Sequence, residues 1–328
     1  MLISYLTHPA GLETSTGFGY AGFNIVTSLQ DLGHRVVFNS DQSPIQFMFT
    51  QPQDYVWHEN QYSIGYTPWE STNLQFGWQE KMAEVSELWC TSELNKEWFE
   101  RLGLAPTKVY PHGITHNWMP RLRRNRKKIR FLHVGEPAPR KGGQLAFDAF
   151  RNVFGDDENY TLTIKANQGS MIRYDPKIPG VLKQPQAFAN VELNIKNLPE
   201  SELVSLFHSH DVLLYPSWGE GFGFIPLQAL ATGMPVIFNS SWAPYKKFSM
   251  GLDIDDRLVP SPWPSMHPGQ MLEPSRQSLE KLMVEVAENF DHYAKQAYEQ
   301  SKQIHCEFDW TRQTQKAFQP LVDRFSKD

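Results

Sequence analysis

The chain has 328 residues, enough for two domains that each bury a core of their own. Its net charge of -5 gives no overall attraction to nucleic acid or to an anionic membrane surface, so such binding would need a local basic patch. The two cysteines, Cys90 and Cys306, lie far apart without CxxC spacing, which argues against a disulfide framework and suits a reducing compartment. No apolar run has spanning length, and the first residues lack the basic region of a signal peptide. We therefore expect a cytoplasmic protein without membrane insertion.

Strand and helix patterns alternate along the first part of the chain. Residues 2–6 read as a short buried strand, residues 19–32 have helical spacing that Gly33 stops, and residues 35–38 form a second strand. This order is a β-α-β unit, which is the seed of a parallel sheet. The patterns that follow are a helix at 79–85, a strand at 87–91 and a helix at 92–102 opened by Ser92.

The stretch 119–128, with Pro120 and many cations, breaks the composition and is interpreted as a linker. The pattern then restarts, with strands at 129–134, 161–165, 211–215 and 235–238, helices at 144–154, 198–208 and 225–232, one long helical region at 278–305, and a terminal helix at 310–325. Two such series predict an α/β protein of two doubly wound, Rossmann-like domains that face each other across a cleft. We place the domains at residues 1–122 and 123–309, with a terminal helix at 310–328 that returns to the first.

The first glycine-rich segment, at residues 17–22, reads GFGYAG and opens a helix. Asp41 follows about twenty residues later, where a dinucleotide-binding fold has its ribose-binding acid. An NAD- or FAD-dependent oxidoreductase is therefore one alternative. Against it, the glycines do not follow the first strand directly, so we expect Gly17 and Gly19 in a long mobile loop over the cleft, where they could contact a donor. Another alternative is that they only allow close helix packing.

The second glycine-rich loop is more specific. Within residues 211–228 a buried strand leads through Gly221 and Gly223 into a helix, whose unpaired N–H groups and partial positive charge suit a diphosphate. The glycines let the backbone approach a ligand. Glu220 is electrostatically wrong for phosphate, so we expect it to hold sugar hydroxyls; the alternative is a solvent-exposed loop acid.

Two cations follow the strand at 129–134. Arg140 and Lys141 come at the carboxyl end of a parallel strand, where ligands bind in this topology. They could neutralise a leaving diphosphate without a metal. A solvated basic turn is the alternative.

These segments resemble family 4 glycosyltransferases, the retaining group with the GT-B fold. Residues 220–223 (EGFG) with 226–236 (PLQALATGMPV) resemble the nucleotide-sugar signature of that family, and residues 140–142 (RKG) resemble its Lys-Gly phosphate loop. Residues 64–70 and 110–114 are similar to segments of its amino-terminal domain. The resemblance covers most of the chain and is weakest at residues 245–275. The compact chain also resembles proteins encoded by bacteriophages.

The resemblance implies a role for each matching residue. Glu220 would hold the hydroxyls of the donor sugar. The diphosphate would be bound by the backbone N–H groups of Phe222, Gly223 and Phe224. The side chains of Arg140 and Lys141 would bind it as well.

Two positions depart from the family pattern. The glutamate that grips the nucleotide ribose falls on Gln228, whose amide can still bond hydroxyls as donor and acceptor. The family often has Arg after the first glycine of the phosphate loop, but here Glu136 follows Gly135, so Arg140 is expected to substitute. The nucleotide preference is therefore open.

The implied mechanism is front-face displacement with retention, in which a phosphate oxygen takes the proton of the acceptor hydroxyl. Catalysis would then come from orientation and from stabilisation of the leaving charge by Arg140 and Lys141, without a cofactor or metal. Glu70, beside Trp69, is our candidate for contacting the sugar or acceptor; a simple turn acid is the alternative.

Two other polar groups could suggest a metal. Asp253 and Asp255 have the DxD spacing of metal-dependent transferases, but their region cannot be placed in the cleft from the sequence. His208 and His210 are interpreted as cap or core residues.

The acceptor is predicted only from a basic run, which extends from Arg121 to Arg130 and holds seven cations. One interpretation is a solvated linker. The other is a contact for a polyanion, such as DNA with hydroxymethylated bases. Glycosyl transfer to a protein or a glycan and non-catalytic binding of a nucleotide sugar remain as alternatives.

Overall fold

The computed structural model describes residues 1–9, 11–124, 128–166 and 188–325. Its first sheet has six parallel strands in the order β2-β1-β3-β4-β5-β6. The strands are β1 (Leu2–Thr7), β2 (Arg35–Phe38), β3 (Ile45–Phe49), β4 (Tyr62–Tyr66), β5 (Glu87–Cys90) and β6 (Pro106–Val109). The central strand β3 is buried along its whole length, as expected for a parallel sheet covered on both faces.

Three helices connect strands of this sheet, namely α1 (Gly17–Asp31), α2 (Trp78–Ala83) and α3 (Glu93–Arg101). The hydroxyl oxygen of Thr16 caps α1 by accepting a hydrogen bond from the Gly19 amide at 3.0 Å. Ser92 caps α3 in the same way, with the Asn95 amide as donor at 3.2 Å. Each cap satisfies an amide that the helix itself leaves unpaired, which explains where these helices begin.

The second sheet is also parallel and has the order β11-β10-β7-β8-β9. Its elements in chain order are β7 (Ile129–Val134), α4 (Gly143–Phe154), β8 (Tyr160–Lys165), β9 (Val191–Asn194), α5 (Glu200–Ser209), β10 (Val212–Tyr215), α6 (Phe224–Ala231) and β11 (Val236–Phe238). The strand order reverses beside β7 and β10, which places a ligand crevice at the carboxyl ends of these two strands.

An antiparallel hairpin, β12 (Asp256–Pro260) and β13 (Gln270–Pro274), follows the second sheet. Three helices complete the fold: α7 (Arg276–Glu288), α8 (Phe290–Glu307) and α9 (Trp310–Phe325). The last of them packs on the first sheet and buries Trp310 and Phe318 in the core there. The domain boundary near residue 122 stays a prediction.

A carboxylate joins the two sheets. Glu200, in the first turn of α5, accepts hydrogen bonds from the Tyr20 hydroxyl on α1 at 3.1 Å and from the Trp118 indole at 3.0 Å. The Asn117 amide donates to its other oxygen at 2.8 Å. These bonds fix the second half of the chain against the first.

Two parts of the sequence interpretation need correction. The region at 278–305 is two helices, because Asn289 adopts a non-helical conformation (φ -117°, ψ 30°) between α7 and α8. The strands β3, β4, β6 and β9 and the hairpin of β12 and β13 were not predicted. Each of these strands has only four or five residues, and the run IQFMF of β3 also lacks a period-two pattern. Among the described residues, no helix combines the length and the apolarity needed to cross a bilayer.

Candidate functional site

The turn between β10 and α6 carries a buried carboxylate. Glu220 is only 7% exposed. Its Oε1 accepts hydrogen bonds from the Tyr215 hydroxyl at 2.9 Å and the Ser217 hydroxyl at 2.8 Å. Both of its oxygens lie 2.8 Å from Lys141 Nζ, and the Arg140 guanidinium lies 3.5 Å from Oε1. Glu220 is therefore not the exposed loop acid that was the alternative.

The cations set the charge of this carboxylate. Burial alone raises the pKa of Glu220, but Lys141 and Arg140, together with the hydrogen bonds from Lys141 and Ser217, outweigh burial and lower the pKa to about 2. Burial and the neighbouring Glu220 raise the pKa of the Tyr215 phenol well above its usual range. At neutral pH the site therefore holds a carboxylate with a neutral phenol as its donor.

The cations lie on a short turn that precedes α4 and leans on the Glu220 loop. Gly142 has a φ of 72°, and a Cβ there would overlap the carbonyl oxygen of Pro216. The Trp218 amide donates to the Arg140 carbonyl at 2.8 Å, and the Arg140 guanidinium donates to the Gly219 carbonyl. Only a glycine permits this approach, so the two loops are positioned together and the cations are not on a solvated turn.

Glu70 reaches the same cluster from the first half of the chain. Its Oε1 lies 3.5 Å from the Arg140 guanidinium, which therefore bridges Glu70 and Glu220. Burial raises the pKa of Glu70; Arg140 opposes this and Glu220 adds to it. The backbone beside it is fixed, because the side-chain amide of Asn95 donates to the Trp69 carbonyl at 2.8 Å. The two carboxylates of the cluster thus have pKa values that move in opposite directions.

The amino terminus of α6 begins three residues after Gly221. Gly223 is the left-handed N-cap (φ 81°), no side chain caps the helix, and its first-turn amides have no partner within the helix. Phe222 packs against His112 and Phe224, with ring centroids 4.8 and 5.1 Å apart. This terminus can therefore offer amides and partial positive charge to an anion.

Gln228 lies one turn into α6. It is 5% exposed, and its Oε1 has no hydrogen-bond partner among the described residues. An unpaired buried amide oxygen costs free energy, so a hydrogen-bond donor at this atom would stabilise the site.

A recess opens at the carboxyl ends of β7, β8 and β9, next to the cations, and sequence reasoning did not find it. It is lined by His133, Gly135, Glu136, Pro137, Ala138, Gly143, Gln144, Ile164, Ala166 and Leu193. His133 Nδ1 bonds the Leu214 carbonyl at 3.0 Å, whereas its Nε2 has no partner among the described residues. Burial lowers the pKa of His133 to about 4, so its imidazole is neutral.

Residues 90–316 match the description of family 4 glycosyltransferases in conflict systems. The chain belongs to this family. A segment of 108 residues is 32% identical to the serotype-specific mannosyltransferase WbdA of Escherichia coli; it covers 33% of this chain but only 13% of that relative. The chain thus corresponds to a small part of that relative.

Solved structures of other glycosyltransferases are similar to nearly the whole chain, and two of them illustrate this. Sucrose-phosphate synthase of Thermosynechococcus elongatus has a TM-score of 0.73 at 12% identity, with all of both chains covered. The pneumococcal O-GlcNAc transferase GtfA, solved with UDP and GlcNAc, has a TM-score of 0.59 at 14% identity, with 95% of this chain and 61% of that one covered. The family member therefore has the predicted GT-B fold.

The prediction that Gly17 and Gly19 lie in a mobile loop is wrong. Gly17 and Gly19 form the first turn of α1, and a Cβ on Gly19 would overlap the Glu13 backbone. Close packing of the helix start explains Gly19, while a contact of either glycine with a donor stays a prediction.

Cations in the described part of the basic run, which omits residues 125–127, make internal contacts. Arg123 is 3% exposed and donates to the carbonyls of Phe207, His210 and Thr232. Arg130 forms an ion pair with Asp211 at 3.0 Å. These residues lie at the amino ends of β7 and β10, opposite the carboxyl ends that lead to Glu220 and the cations. The run is thus not simply a solvated linker.

The remaining polar candidates lie in structural positions. Asp253 accepts a hydrogen bond from the Ser249 hydroxyl at 2.6 Å. His208 bonds the Met119 carbonyl at 2.9 Å, and His210 bonds the Leu206 carbonyl at 2.8 Å. His210 is thus the C-cap residue of α5, and His208 joins the last turn of that helix to the segment before β7.

His267 was missed by sequence reasoning, because nothing local distinguishes it. It lies in the loop between β12 and β13, and its Nδ1 is 3.9 Å from a Glu70 oxygen. Burial, then Arg140 and Lys141, lower the pKa of His267 to about 4.

Proposed function

We propose that the family member is a retaining, metal-independent glycosyltransferase that moves a sugar from a nucleotide-diphosphate donor to an acceptor hydroxyl. The observation that carries this proposal is the convergence of Glu220, Arg140 and Lys141 on one site beside the amino terminus of α6. A carboxylate held ionised next to two cations and an uncapped helix terminus suits a ligand that carries hydroxyls and phosphates on adjoining atoms.

The donor is proposed to lie along the carboxyl edge of the second sheet. The diphosphate would take the amides of Phe222, Gly223 and Phe224 together with the two cations. The unpaired Oε1 of Gln228 would accept a hydrogen bond from a ribose hydroxyl. The recess beside His133 would hold the nucleobase, because its wall combines apolar side chains with few polar atoms. GtfA, solved with UDP, is a fold neighbour, which is consistent with such a donor.

The proposed chemistry needs no covalent intermediate on the protein. The acceptor oxygen attacks the anomeric carbon from the face that the diphosphate leaves, the carbon–oxygen bond to phosphate breaks, and its electron pair stays on the phosphate. The acceptor proton passes to a phosphate oxygen, so the products are a glycoside of unchanged configuration and a nucleoside diphosphate. Arg140 and Lys141 stabilise the charge that develops.

Lys141 has to change partner for this to happen. In the structure both oxygens of Glu220 bind its ammonium group. We propose that the donor phosphate takes over part of this ammonium and that sugar hydroxyls then donate to Glu220. The exchange keeps the buried carboxylate hydrogen-bonded in both states, which avoids the cost of an unpaired buried charge.

The proposed acceptor supplies a hydroxyl. Glu70, which reaches the site from the first half of the chain, is the residue proposed to contact it. Hydroxymethylated DNA remains a candidate on the strength of the basic run, although Arg123 and Arg130 are already engaged in internal contacts. A phage origin remains a proposal as well.

A donor screen tests the function. The protein is incubated with UDP-, GDP- and ADP-linked sugars, with and without EDTA, and nucleoside diphosphate release is measured; NMR of the product anomer follows for the active donor. We expect hydrolysis of at least one donor, unaffected by EDTA, with retained configuration in the first product. Binding without turnover would indicate a non-catalytic sugar-nucleotide binder, and inversion would contradict the mechanism.

A further inference from the structure

Two loops from opposite halves of the chain close one side of the site. Residues 70–77 come from the first half, and residues 261–269 join β12 to β13 in the second. The Thr72 amide donates to the Gln270 carbonyl at 3.0 Å, and the Gln270 amide donates to the Thr72 hydroxyl at 2.8 Å. The Asn73 amide also reaches the Pro268 carbonyl at 3.3 Å. We call this pair of segments the bridging loops.

The loop 261–269 is ordered by its own hydrogen bonds. The Ser261 amide donates to the Gly269 carbonyl at 2.8 Å, and the Trp263 amide donates to the Ser261 hydroxyl at 3.1 Å. The His267 amide donates to the Trp263 carbonyl at 2.8 Å. The backbone that carries Trp263 and His267 is therefore held in a closed turn.

His267 presents an unused polar atom to the reaction site. Its side chain is 13% exposed and its ring lies 5.5 Å from the Trp69 ring. Its Nδ1 is buried and has no hydrogen-bond partner among the described residues, and Glu70 Oε2 lies 3.9 Å away. Because an unpaired buried nitrogen costs free energy, a ligand hydroxyl that reached this atom would stabilise it.

Aromatic and apolar side chains surround the outer side of the same loops. Trp218 and Trp263 are half-buried and in edge contact, with ring centroids 5.4 Å apart. Phe76 is fully exposed, and Met266, whose carbonyl accepts from Gln75 at 3.0 Å, is exposed beside it. A partly exposed Trp pair, one member of which lies in the same loop as His267, is suited to a flat ring with an apolar face and hydroxyl edges.

The charge of the bridging loops distinguishes between acceptor classes. Apart from Glu70 and His267, residues 70–77 and 261–269, all of them described, contain no ionisable side chain. The nearest pair along the hairpin, Arg257 and Glu273, is joined at 2.7 Å. Nucleic-acid binding depends on lysine and arginine contacts to phosphate, and these loops offer none. Their surface fits an uncharged acceptor.

We propose that the bridging loops form the acceptor subsite of the proposed transferase and that it takes a neutral carbohydrate. The sugar ring stacks on Trp263, one hydroxyl hydrogen-bonds His267 Nδ1, and the attacking hydroxyl lies beside Glu70. His267 is a binding residue here and takes no proton; the proton of the attacking hydroxyl leaves with the phosphate oxygen as before. This inference rests on the proposed function, so its test separates acceptor binding from donor chemistry.

Sugar binding is measured first, without any donor. Tryptophan fluorescence is titrated with the methyl glycosides of glucose, mannose, galactose, N-acetylglucosamine and N-acetylgalactosamine, and with a single-stranded oligonucleotide containing hydroxymethylcytosine. We expect at least one glycoside to change the emission saturably. Trp263→Ala should abolish the change, and Phe23→Ala, which removes an exposed aromatic from α1, should leave it intact.

Transfer is then measured with the donor found active. His267→Ala should raise the acceptor KM about tenfold or more, the effect of one lost hydrogen bond to a buried group, while hydrolysis of the donor in water stays measurable. His267→Asn, which returns a polar atom near Nδ1, should recover part of the loss. His292→Gln, an exposed histidine on α8, is the matched control and should behave as the wild type.

The outcomes separate the acceptor subsite from the donor chemistry. Loss of acceptor use with donor hydrolysis retained supports the subsite. Donor hydrolysis with transfer to the oligonucleotide alone, or to none of the glycosides, overturns the neutral acceptor but leaves the proposed function standing. Absence of hydrolysis with every donor overturns the proposed function itself. A folded His267→Ala protein with an unchanged acceptor KM removes His267 from the subsite.

Discussion

The substitution Glu220→Gln tests whether the buried charge cluster works as described. It keeps the shape of the side chain but leaves Lys141 and Arg140 without their shared carboxylate. The pKa of Glu220 is about 2 in the folded chain against an ordinary 4.5. That difference corresponds to about 3 kcal/mol of stability at pH 7, which the wild type has and Glu220→Gln should lose. Because the group is 7% exposed, little of this is lost to solvent screening.

The pH dependence gives the prediction its sign. The folded pKa lies below the unfolded one, so the contribution is complete above the unfolded value and is lost as the pH falls towards 2. The stability difference between wild type and variant should therefore fall to about 2 kcal/mol at pH 3.5. Urea unfolding at both pH values measures it, with Glu299→Gln on the exposed face of α8 as the control. Equal differences at pH 7 and pH 3.5, or no difference at pH 7, would refute the electrostatic account.

Three further predictions concern the same cluster. Lys141→Met should lower donor hydrolysis by about 100-fold or more, because a positive charge facing the leaving phosphate is lost, and steady-state kinetics with the active donor measures it. Gly142→Ala should destabilise the chain by more than Gly103→Ala in urea unfolding: both positions have positive φ, but only the first is crowded by Pro216, so equal losses would contradict the close approach of the two loops. Glu70→Gln should slow glycosyl transfer by about tenfold or more while donor binding by calorimetry stays unchanged, and unaltered turnover would remove Glu70 from the site.

The local part of the site could be predicted from the sequence. The strand, the glycine-rich turn and the helix around Glu220 are adjacent in the chain. A helix amino terminus that follows a buried strand and a glycine-rich turn is suited to binding phosphate. Arg140 and Lys141 could be placed at the same edge because they follow another strand of the parallel sheet. Both inferences depend only on short-range pattern and on the topology rule for parallel sheets.

What could not be predicted depends on long-range contacts. His267 meets Glu70 across nearly two hundred residues, and neither flanking sequence marks the pair. Arg123 looked like one cation in a solvated run, yet carbonyls at the ends of α5 and α6 bury it. The strand β3 was missed because its run IQFMF has no alternation of apolar and polar residues. It becomes a strand through pairing with its neighbours in the sheet.

Calorimetric titration of the wild type and of Lys141→Met with UDP-, GDP- and ADP-sugars tests the central claim most directly. The claim is that the turn at Glu220 and the two cations form one pocket for a sugar linked through pyrophosphate. We expect saturable binding of at least one of these donors to the wild type, weakened about tenfold or more by Lys141→Met. Donor binding of equal strength in both proteins, or none in either, would contradict it.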